Sequence, residues 1–360
     1  MQKIGIEEFL SMAVHNPVLD VRSPGEYAHA HIPGAHNLPL FTDEERKIVG
    51  TAYKQQDRQQ AIKIGLDYFG VKMRKMVEDV EAIIKNHPRD QQNCVLVHCW
   101  RGGMRSAGVA WLLDLYGFKV YSLNGGYKAF RTWVLKQFTF DYKFSVLSGY
   151  TGSGKTLVLR QLASLHHPVI DLEGIAMHNG SAFGGLGKEK QPTQEMFENI
   201  LGIKLRNIVK EAGEHTPIWL EDESQRIGLI NLPNALWKTM RQSTIYFLDI
   251  PFEERLSYIT DAYGQFKKEE LVNAIIRIQK RLGNQNAKNA INYLLEDNYK
   301  ESFRILLSYY DKCYNKGVAE RKITEEALSV IPCDNVDPVM NCKRLSDKKQ
   351  QINGNIRSGN

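Results

Sequence analysis

At 360 residues the chain is longer than one hydrophobic core usually serves, and with 42% hydrophobic and 24% charged residues it has the balance of a globular protein rather than a disordered or fibrous one. Its five cysteines (Cys94, Cys99, Cys313, Cys333, Cys342) show no C-x-x-C spacing, which argues against a disulfide framework or a zinc site, while the formal charge of +6 suits an anionic partner. No apolar run is long enough for a bilayer, and Met1 to Leu10 carries Glu7 and Glu8 without a basic flank, so no membrane or secretory segment is expected and a reducing cytoplasm fits.

In chain order, 18–21 and 94–98 read as buried strands, 107–115 as the helix after the second, and 119–123 as a further strand running into the turn signal Asn124-Gly125-Gly126. An amphipathic segment over 127–137 closes this half, placing a domain boundary near 138 to 142. The alternation restarts at Phe144 with a strand that enters a glycine-rich loop. Later strands are expected at 168–172, 218–221 and 244–250, and a helix over about 194–210, where Phe197, Ile200, Leu201, Leu205 and Ile208 share a face. Residues 252–330 read as almost wholly helical. The stretch 341–360, rich in Lys, Asn, Gln and Gly, is expected to be disordered. The division is thus 1–138, 139–335 and a disordered tail over 336–360, with a parallel α/β pattern in both halves.

Two loops carry chemistry. In Val97-His98-Cys99-Trp100-Arg101-Gly102-Gly103-Met104-Arg105-Ser106, between a strand and a helix, backbone N–H groups and the helix N-terminus converge on one spot and favour a thiolate or a bound oxyanion. Cys99 is the candidate nucleophile, Gly102 and Gly103 let the backbone curl around its sulfur, and Arg105, with Arg101 beside it, can meet a phosphate-like group. The competing reading is a structural cysteine, which would need neither the glycine pair nor the arginine. Cys94 reads as core, and His98 as a packing or hydrogen-bonding side chain rather than a base.

The second loop, Gly149-Tyr150-Thr151-Gly152-Ser153-Gly154-Lys155-Thr156, fits the P-loop pattern G-x4-G-K-S/T in full. Gly149, Gly152, Ser153 and Gly154 form the anion nest, Lys155 neutralises terminal phosphates, and the Thr156 hydroxyl can hold Mg2+. Glu221 and Asp222, in Glu221-Asp222-Glu223-Ser224, are candidates for the carboxylate that positions such an ion, although acidic strand ends are often merely solvated. The small-residue stretch Asp171 to Gly184 reads either as a loop approaching a ligand or as a surface loop.

Leu19-Asp20-Val21-Arg22-Ser23-Pro24-Gly25-Glu26-Tyr27, then His31-Ile32-Pro33-Gly34-Ala35-His36-Asn37-Leu38-Pro39, and finally Leu123-Asn124-Gly125-Gly126-Tyr127-Lys128-Ala129-Phe130, resemble the rhodanese signatures. The loop spacing C-x5-R is one residue longer than in the usual sulfurtransferase and is shared with cysteine phosphatases. It suits a tetrahedral group larger than a bare sulfur. Together with the P-loop, Asp171-Leu172-Glu173-Gly174, Gly180-Ser181-Ala182-Phe183-Gly184, Glu221-Asp222-Glu223-Ser224 and an insertion around Asp43 to Gln55 and Ala61 to Leu66, the chain resembles the tRNA 2-selenouridine synthase family from about residue 15 to about residue 235.

The resemblance implies an N-terminal rhodanese-like parallel-sheet domain followed by a P-loop α/β domain with a helical C-terminal part. It also implies an enzyme that replaces sulfur in wobble 2-thiouridine of tRNA with selenium from selenophosphate, by way of an S-geranylated intermediate made from geranyl diphosphate. Cys99 would engage selenium, Arg105 and the loop amides would hold the donor's phosphate, and the P-loop would hold a prenyl diphosphate or a nucleotide with Mg2+. Besides tRNA, a selenophosphate supplier is an implied partner. Lys267, Lys268, Arg277, Lys280, Arg281 and Lys288 offer a surface for RNA phosphates or a merely solvated face. Two alternatives stay open: a rhodanese-fold cysteine phosphatase or sulfurtransferase with an attached nucleotide-binding domain, and a non-enzymatic binding module, against which Cys99 and Arg105 both count.

Overall fold

The computed structural model describes residues 1–86, 93–213, 215–320 and 327–357. It divides into two compact units, Met1–Gln137 with Glu195–Ile203, and Phe138–Gln194 with Lys204–Asn360. The first unit runs β1 (Gln2–Ile4), α1 (Ile6–Met12), β2 (Val18–Asp20), α2 (Pro24–His29), β3 (His36–Asn37), α3 (Asp43–Gln55), α4 (Arg58–Gly70), α5 (Met73–Asn86), β4 (Cys94–His98), α6 (Met104–Tyr116), β5 (Lys119–Leu123) and α7 (Gly126–Gln137). Its strands form one parallel sheet in the order β1-β5-β4-β2-β3.

Helices cover this sheet, which is why Leu19, Val95, Leu96 and Val97 are wholly buried and why β2 and β4 read as apolar runs rather than alternating ones. Val109 and Leu113 of α6 and Met76 and Val80 of α5 join the same core. The inserted segment is therefore helical, and its last helix covers the sheet. Two of its helices announce themselves by capping. Thr42 accepts the Glu45 N–H at 3.2 Å ahead of α3, and Asp57 accepts the Gln60 N–H at 2.7 Å ahead of α4.

The second unit runs β6 (Phe144–Gly149), α8 (Lys155–Ser164), β7 (Val169–Ile170), α9 (Leu172–Ala176), α10 (Gln194–Ala212), β8 (Ile218–Glu221), β9 (Arg226–Ile227), β10 (Ile230–Asn231), α11 (Asn234–Arg241), β11 (Thr244–Asp249), α12 (Phe252–Tyr263), α13 (Lys268–Leu282), α14 (Asn284–Leu295), α15 (Tyr299–Glu320), β12 (Leu328–Pro332) and α16 (Pro338–Arg357). The first part of α10 groups with the first unit. A five-stranded sheet, order β12-β11-β6-β8-β7, is parallel throughout, with β9 and β10 as a separate antiparallel pair. β6 lies at the centre, so the phosphate loop opens from the carboxyl end of the best-supported strand.

Three expectations need correction. The almost wholly helical reading of 252–330 misses β12, which pairs with β11 from Ile245↔Leu328 to Asp249↔Pro332. Its Ser329 and Ile331 face inward and Val330 is exposed, and a proline with no N–H to give is tolerated at the end of an edge strand. The tail expected to be disordered is instead the helix α16, in which Cys342 and Leu345 are buried and Asp337 Oδ1 accepts the Val339 and Met340 N–H groups at 2.8 and 3.1 Å. Few apolar side chains anchor it, which is why composition hid it; Ser358 to Asn360 lie outside the described residues. The strand expected over 168–172 stops at Ile170 because Asp171 caps α9, its Oδ1 accepting the Gly174 N–H at 2.6 Å. Among the described residues no helix is long and apolar enough to cross a membrane.

Candidate active site: a cysteine loop and a phosphate loop

In the first unit Cys99 follows the carboxyl end of β4, and the loop ends at Gly103, which precedes the first turn of α6. The thiol is 3% exposed and packs among apolar side chains, yet its sulfur is not in an apolar setting. Sγ lies 3.2 Å from the Ser106 hydroxyl, which itself donates to the Gly103 carbonyl at 3.1 Å, so in the neutral form the thiol donates to Ser106. Burial pushes the Cys99 pKa up. The Ser106 hydroxyl, the N–H groups of Ser106 and Arg101, and the Arg105 charge more than offset this, and the net result is a thiol more acidic than usual.

Two N–H groups of α7 pin the loop from behind: Tyr127 donates to the Cys99 carbonyl at 2.8 Å and Lys128 to the Trp100 carbonyl at 2.9 Å. This close approach requires glycine at 126. Its φ is +59°, and a Cβ there would sit 2.4 Å from the Cys99 carbonyl oxygen. Tyr127 is fully buried, donates from its hydroxyl to Glu195 at 2.7 Å and carries the Arg22 guanidinium 3.7 Å above its ring. Arg22 is itself buried and held by Asp20 at 2.5 Å. His98 lies 3.7 Å from the same carboxylate, and burial lowers its pKa to about 4, so the ring is neutral. It is a packing residue, as its place in the strand suggests.

Arg105 does not stand open. Its Nη1 donates to Glu26 Oε2 at 2.8 Å, and Arg46 of α3 meets the same oxygen at 2.9 Å. Glu26 also accepts the Ser23 N–H at 3.2 Å. Burial works against its charge, but the hydrogen bond and charge of Arg105, then Ser23 and Arg46, bring its pKa down to about 2. These side chains line a cleft of about 520 Å3 together with Trp100. The Cys99 side chain lies beneath the loop rather than on the cleft wall, and Arg101 is exposed.

In the second unit the phosphate loop joins β6 to α8. Gly154 has φ +68°, and a Cβ on it would meet Val336 Cγ1 at 2.6 Å, so the residues after β12 close over the loop. Lys155 Nζ donates back to the Gly149 carbonyl at 3.0 Å. Arg255 of α12 buttresses the loop: it donates to the Thr151 carbonyl at 3.0 Å and grips Asp311 with both terminal nitrogens at 3.0 and 2.8 Å. The sequence singled out neither residue, since they are distant in the chain and match no motif.

Of the two carboxylates expected near Thr156, the structure brings one. The Thr156 hydroxyl lies 3.0 Å from Glu221 Oε1 and 3.3 Å from Glu173 Oε2, whereas Asp222 accepts from Ser148 at 2.6 Å on another side. Glu221, Glu223 and Glu173 form a buried cluster. Burial raises all three pKa values, mutual repulsion adds to the rise at Glu221 and Glu223, and Glu221 is pushed up to about 8. The second oxygen of Glu221 and the Ser153 hydroxyl are buried without a hydrogen-bond partner. Among the described residues no group of three or more His, Cys, Asp or Glu is arranged to hold a metal ion by itself. A void of about 30 Å3 adjoins Thr151 and Ser181, with Phe183, Ile259, Tyr263, Phe303 and Tyr310 among its apolar lining. The Gly180 turn bears on the carboxylates, since a Cβ there would meet Glu223 and Glu173 oxygens at 3.0 and 3.1 Å. The stretch from Asp171 to Gly184 thus meets both features. The basic side chains Lys267, Arg277, Lys280, Arg281 and Lys288 are exposed, while Lys268 is half-buried and pairs with Asp297 at 2.7 Å.

Comparison with known proteins bears on both units. The tRNA 2-selenouridine synthase AAA domain matches residues 142–328 and the rhodanese-like domain matches residues 6–132. Similar relatives are the tRNA 2-selenouridine synthases of Nitrosomonas europaea, 37% identical over 72% of this chain and 67% of the relative, of Sulfurovum sp., 34% identical over 86% and 90%, and of Hydrogenovibrio crunogenus, 34% identical over 88% and 93%. With a cysteine loop and a phosphate loop each built on its own parallel sheet, the chain belongs to the tRNA 2-selenouridine synthase family.

Proposed function

We propose that the protein converts 2-thiouridine at the wobble position of tRNA to 2-selenouridine, using selenophosphate as donor and geranyl diphosphate as the group that turns the sulfur into a leaving group. The observation that carries this reading is the Cys99 thiol, made acidic by Ser106, two backbone N–H groups and Arg105 at the start of α6, in a chain that also carries a complete phosphate loop. Cys99 engages the selenium donor as thiolate, and the loop amides with Gly102 and Gly103 receive the donor's phosphate oxygens. Arg105 takes part once the phosphate competes with Glu26 for its guanidinium, and Arg101 stands at the exposed rim.

At the second loop, Gly149, Gly152, Ser153, Gly154 and Lys155 hold the diphosphate. Beside Thr151 an apolar void of about 30 Å3 opens in the packed core of this unit, far smaller than a geranyl chain, which would have to part Phe183, Tyr263 and Phe303 to enter. The unpartnered Glu221 oxygen beside the Thr156 hydroxyl fits Mg2+, which those two residues would hold together with diphosphate oxygens. When bound, that ion would shield the diphosphate's charge as the prenyl group leaves it. In the exchange selenium of selenophosphate bonds to C2 of the base, the carbon–sulfur bond there breaks with sulfur and a proton leaving as the geranyl thiol, and water cleaves the selenium–phosphorus bond to release inorganic phosphate. The test is nucleoside analysis of 2-thiouridine tRNA incubated with selenophosphate, with and without geranyl diphosphate. Selenouridine should form with the native chain and not with Cys99→Ala; equal amounts from both would remove Cys99 from the reaction.

A further inference from the structure

Trp100 is an aromatic ring that the cysteine loop does not need. The loop is held by backbone bonds from α7, by Ser106 and by its glycines, and none of these uses the indole. Trp100 is nevertheless 37% exposed, while Tyr127 and Phe130, packed behind it at tilted angles, are fully buried. A lone exposed apolar ring is ordinary, but Trp100 differs in lining the cleft beside the cysteine loop. Its position is fixed: the Trp100 carbonyl accepts from Lys128 at 2.9 Å, and its ring centroid lies 5.6 Å from that of Tyr127, which is itself clamped between Arg22 and Glu195.

The cleft that Trp100 lines also presents Arg46 and Arg105, oriented by their shared partner Glu26, with Asp43 engaged by the Gly25 N–H and Glu195 by the Tyr127 hydroxyl on the same lining. Its volume of about 520 Å3 falls within the roughly 300–1,000 Å3 of small-molecule sites. An aromatic face with guanidinium groups beside it is the combination that takes an unstacked base and its phosphate. The Arg46 side chain is half exposed, so its guanidinium, which has five donors, can reach a phosphate while its Nε stays on Glu26.

We infer that Trp100 is the platform on which the pyrimidine of the substrate nucleotide stacks, with Arg46 meeting that nucleotide's phosphate. Stacking there holds the base against the residue that follows Cys99 in the loop, and Arg46, from the inserted helix α3, adds a second contact in the same cleft. The inference rests on the proposed reaction and names the residues that hold its RNA substrate.

The test is steady-state conversion of a 2-thiouridine anticodon stem-loop by the full chain with selenophosphate and geranyl diphosphate in excess. Stacking on a protein aromatic corresponds to roughly 5- to 150-fold in affinity. Trp100→Ala should therefore raise the stem-loop KM about tenfold or more, and Trp100→Phe should stay within about threefold of the native value. Arg46→Ala should raise KM by less, with an effect that shrinks as salt increases. The alkylation rate of Cys99 by iodoacetamide, unchanged in each variant, shows that the loop is intact. Should Trp100→Ala disturb it, Trp100→Leu, which keeps apolar bulk without a ring face, replaces that variant. An unchanged KM with the ring removed, or a Trp100→Phe variant as impaired as Trp100→Ala, overturns the inference. Absence of selenouridine with the native chain would instead overturn the proposed function.

Discussion

The cysteine loop and the phosphate loop share a plan, a parallel strand ending in a glycine-rich turn against a helix N-terminus, but their surroundings pull protons in opposite directions. Around Cys99 the acidic groups are stabilised as anions: the thiol is more acidic than usual, and Glu26, shared by Arg105 and Arg46, is held at about 2. Around Lys155 they are stabilised as neutral acids, with Glu173, Glu221 and Glu223 crowded and buried and Glu221 at about 8. One site is set to present an anion, the other to give up a proton when a cation or a diphosphate complex arrives.

The largest expected effect is a double dissociation. Cys99→Ala should abolish selenouridine while leaving binding of geranyl diphosphate intact. Lys155→Ala should weaken that binding by roughly 10- to 150-fold, the size of a lost charge-assisted hydrogen bond, without changing Cys99 alkylation. If either variant damages both readouts, the loops are not separate cradles. Next is Gly126→Ala, whose methyl group would meet the Cys99 carbonyl at 2.4 Å in a left-handed backbone. It should cost about 3 kcal/mol by chemical denaturation and abolish activity.

The pH response comes third. Glu221 keeps its proton in the folded chain until about pH 8, whereas in the unfolded chain it loses it near the ordinary 4.5. Between those values the folded state binds more protons, so Glu221's contribution to stability is full below that window and declines as pH rises through it. Titration of Mg2+ with diphosphate by calorimetry in two buffers should show proton release and binding that tightens by up to about tenfold per pH unit below pH 8. Glu221→Gln should release fewer protons than the native chain. Glu26 behaves the other way, since the stability it contributes holds above the ordinary carboxylate range and fades as pH falls toward 2. A smaller effect is expected for Ser106→Ala, which should shift the pH midpoint of Cys99 alkylation upward and slow the reaction a few fold at neutral pH. Smallest of all is Asp222→Ala, which should change Mg2+ affinity less than about threefold, because Asp222 bonds Ser148 rather than facing Thr156.

Both loops could be read from sequence because each is contiguous: a cysteine, two glycines and an arginine in one, a complete eight-residue pattern in the other. Their supports could not. Glu26 sits inside a recognisable signature, but that Arg46 and Arg105 converge on it depends on how α2, α3 and α6 pack. The choice of Glu221 over Asp222 is a matter of strand pleat, which puts neighbouring side chains on opposite faces. Arg255 and Asp311 lie on helices where a charged residue normally signals solvent. β12 and α16 escaped notice because the former exposes alternate residues and the latter buries little more than Asn341, Cys342 and Leu345.

The edge strand β12 and the contact between Val336 and Gly154 have a bearing on biosynthesis. A ribosome makes the lysine-bearing turn early, but the sheet beneath it lacks a strand, and the turn its cover, until roughly 180 further residues have been added. Until then the flank of β11 is an unpaired template for other chains. A chain released near residue 327 would carry every recognisable motif and still lack a finished setting for the phosphate loop, so translation arrest there should yield aggregates rather than a weakened enzyme.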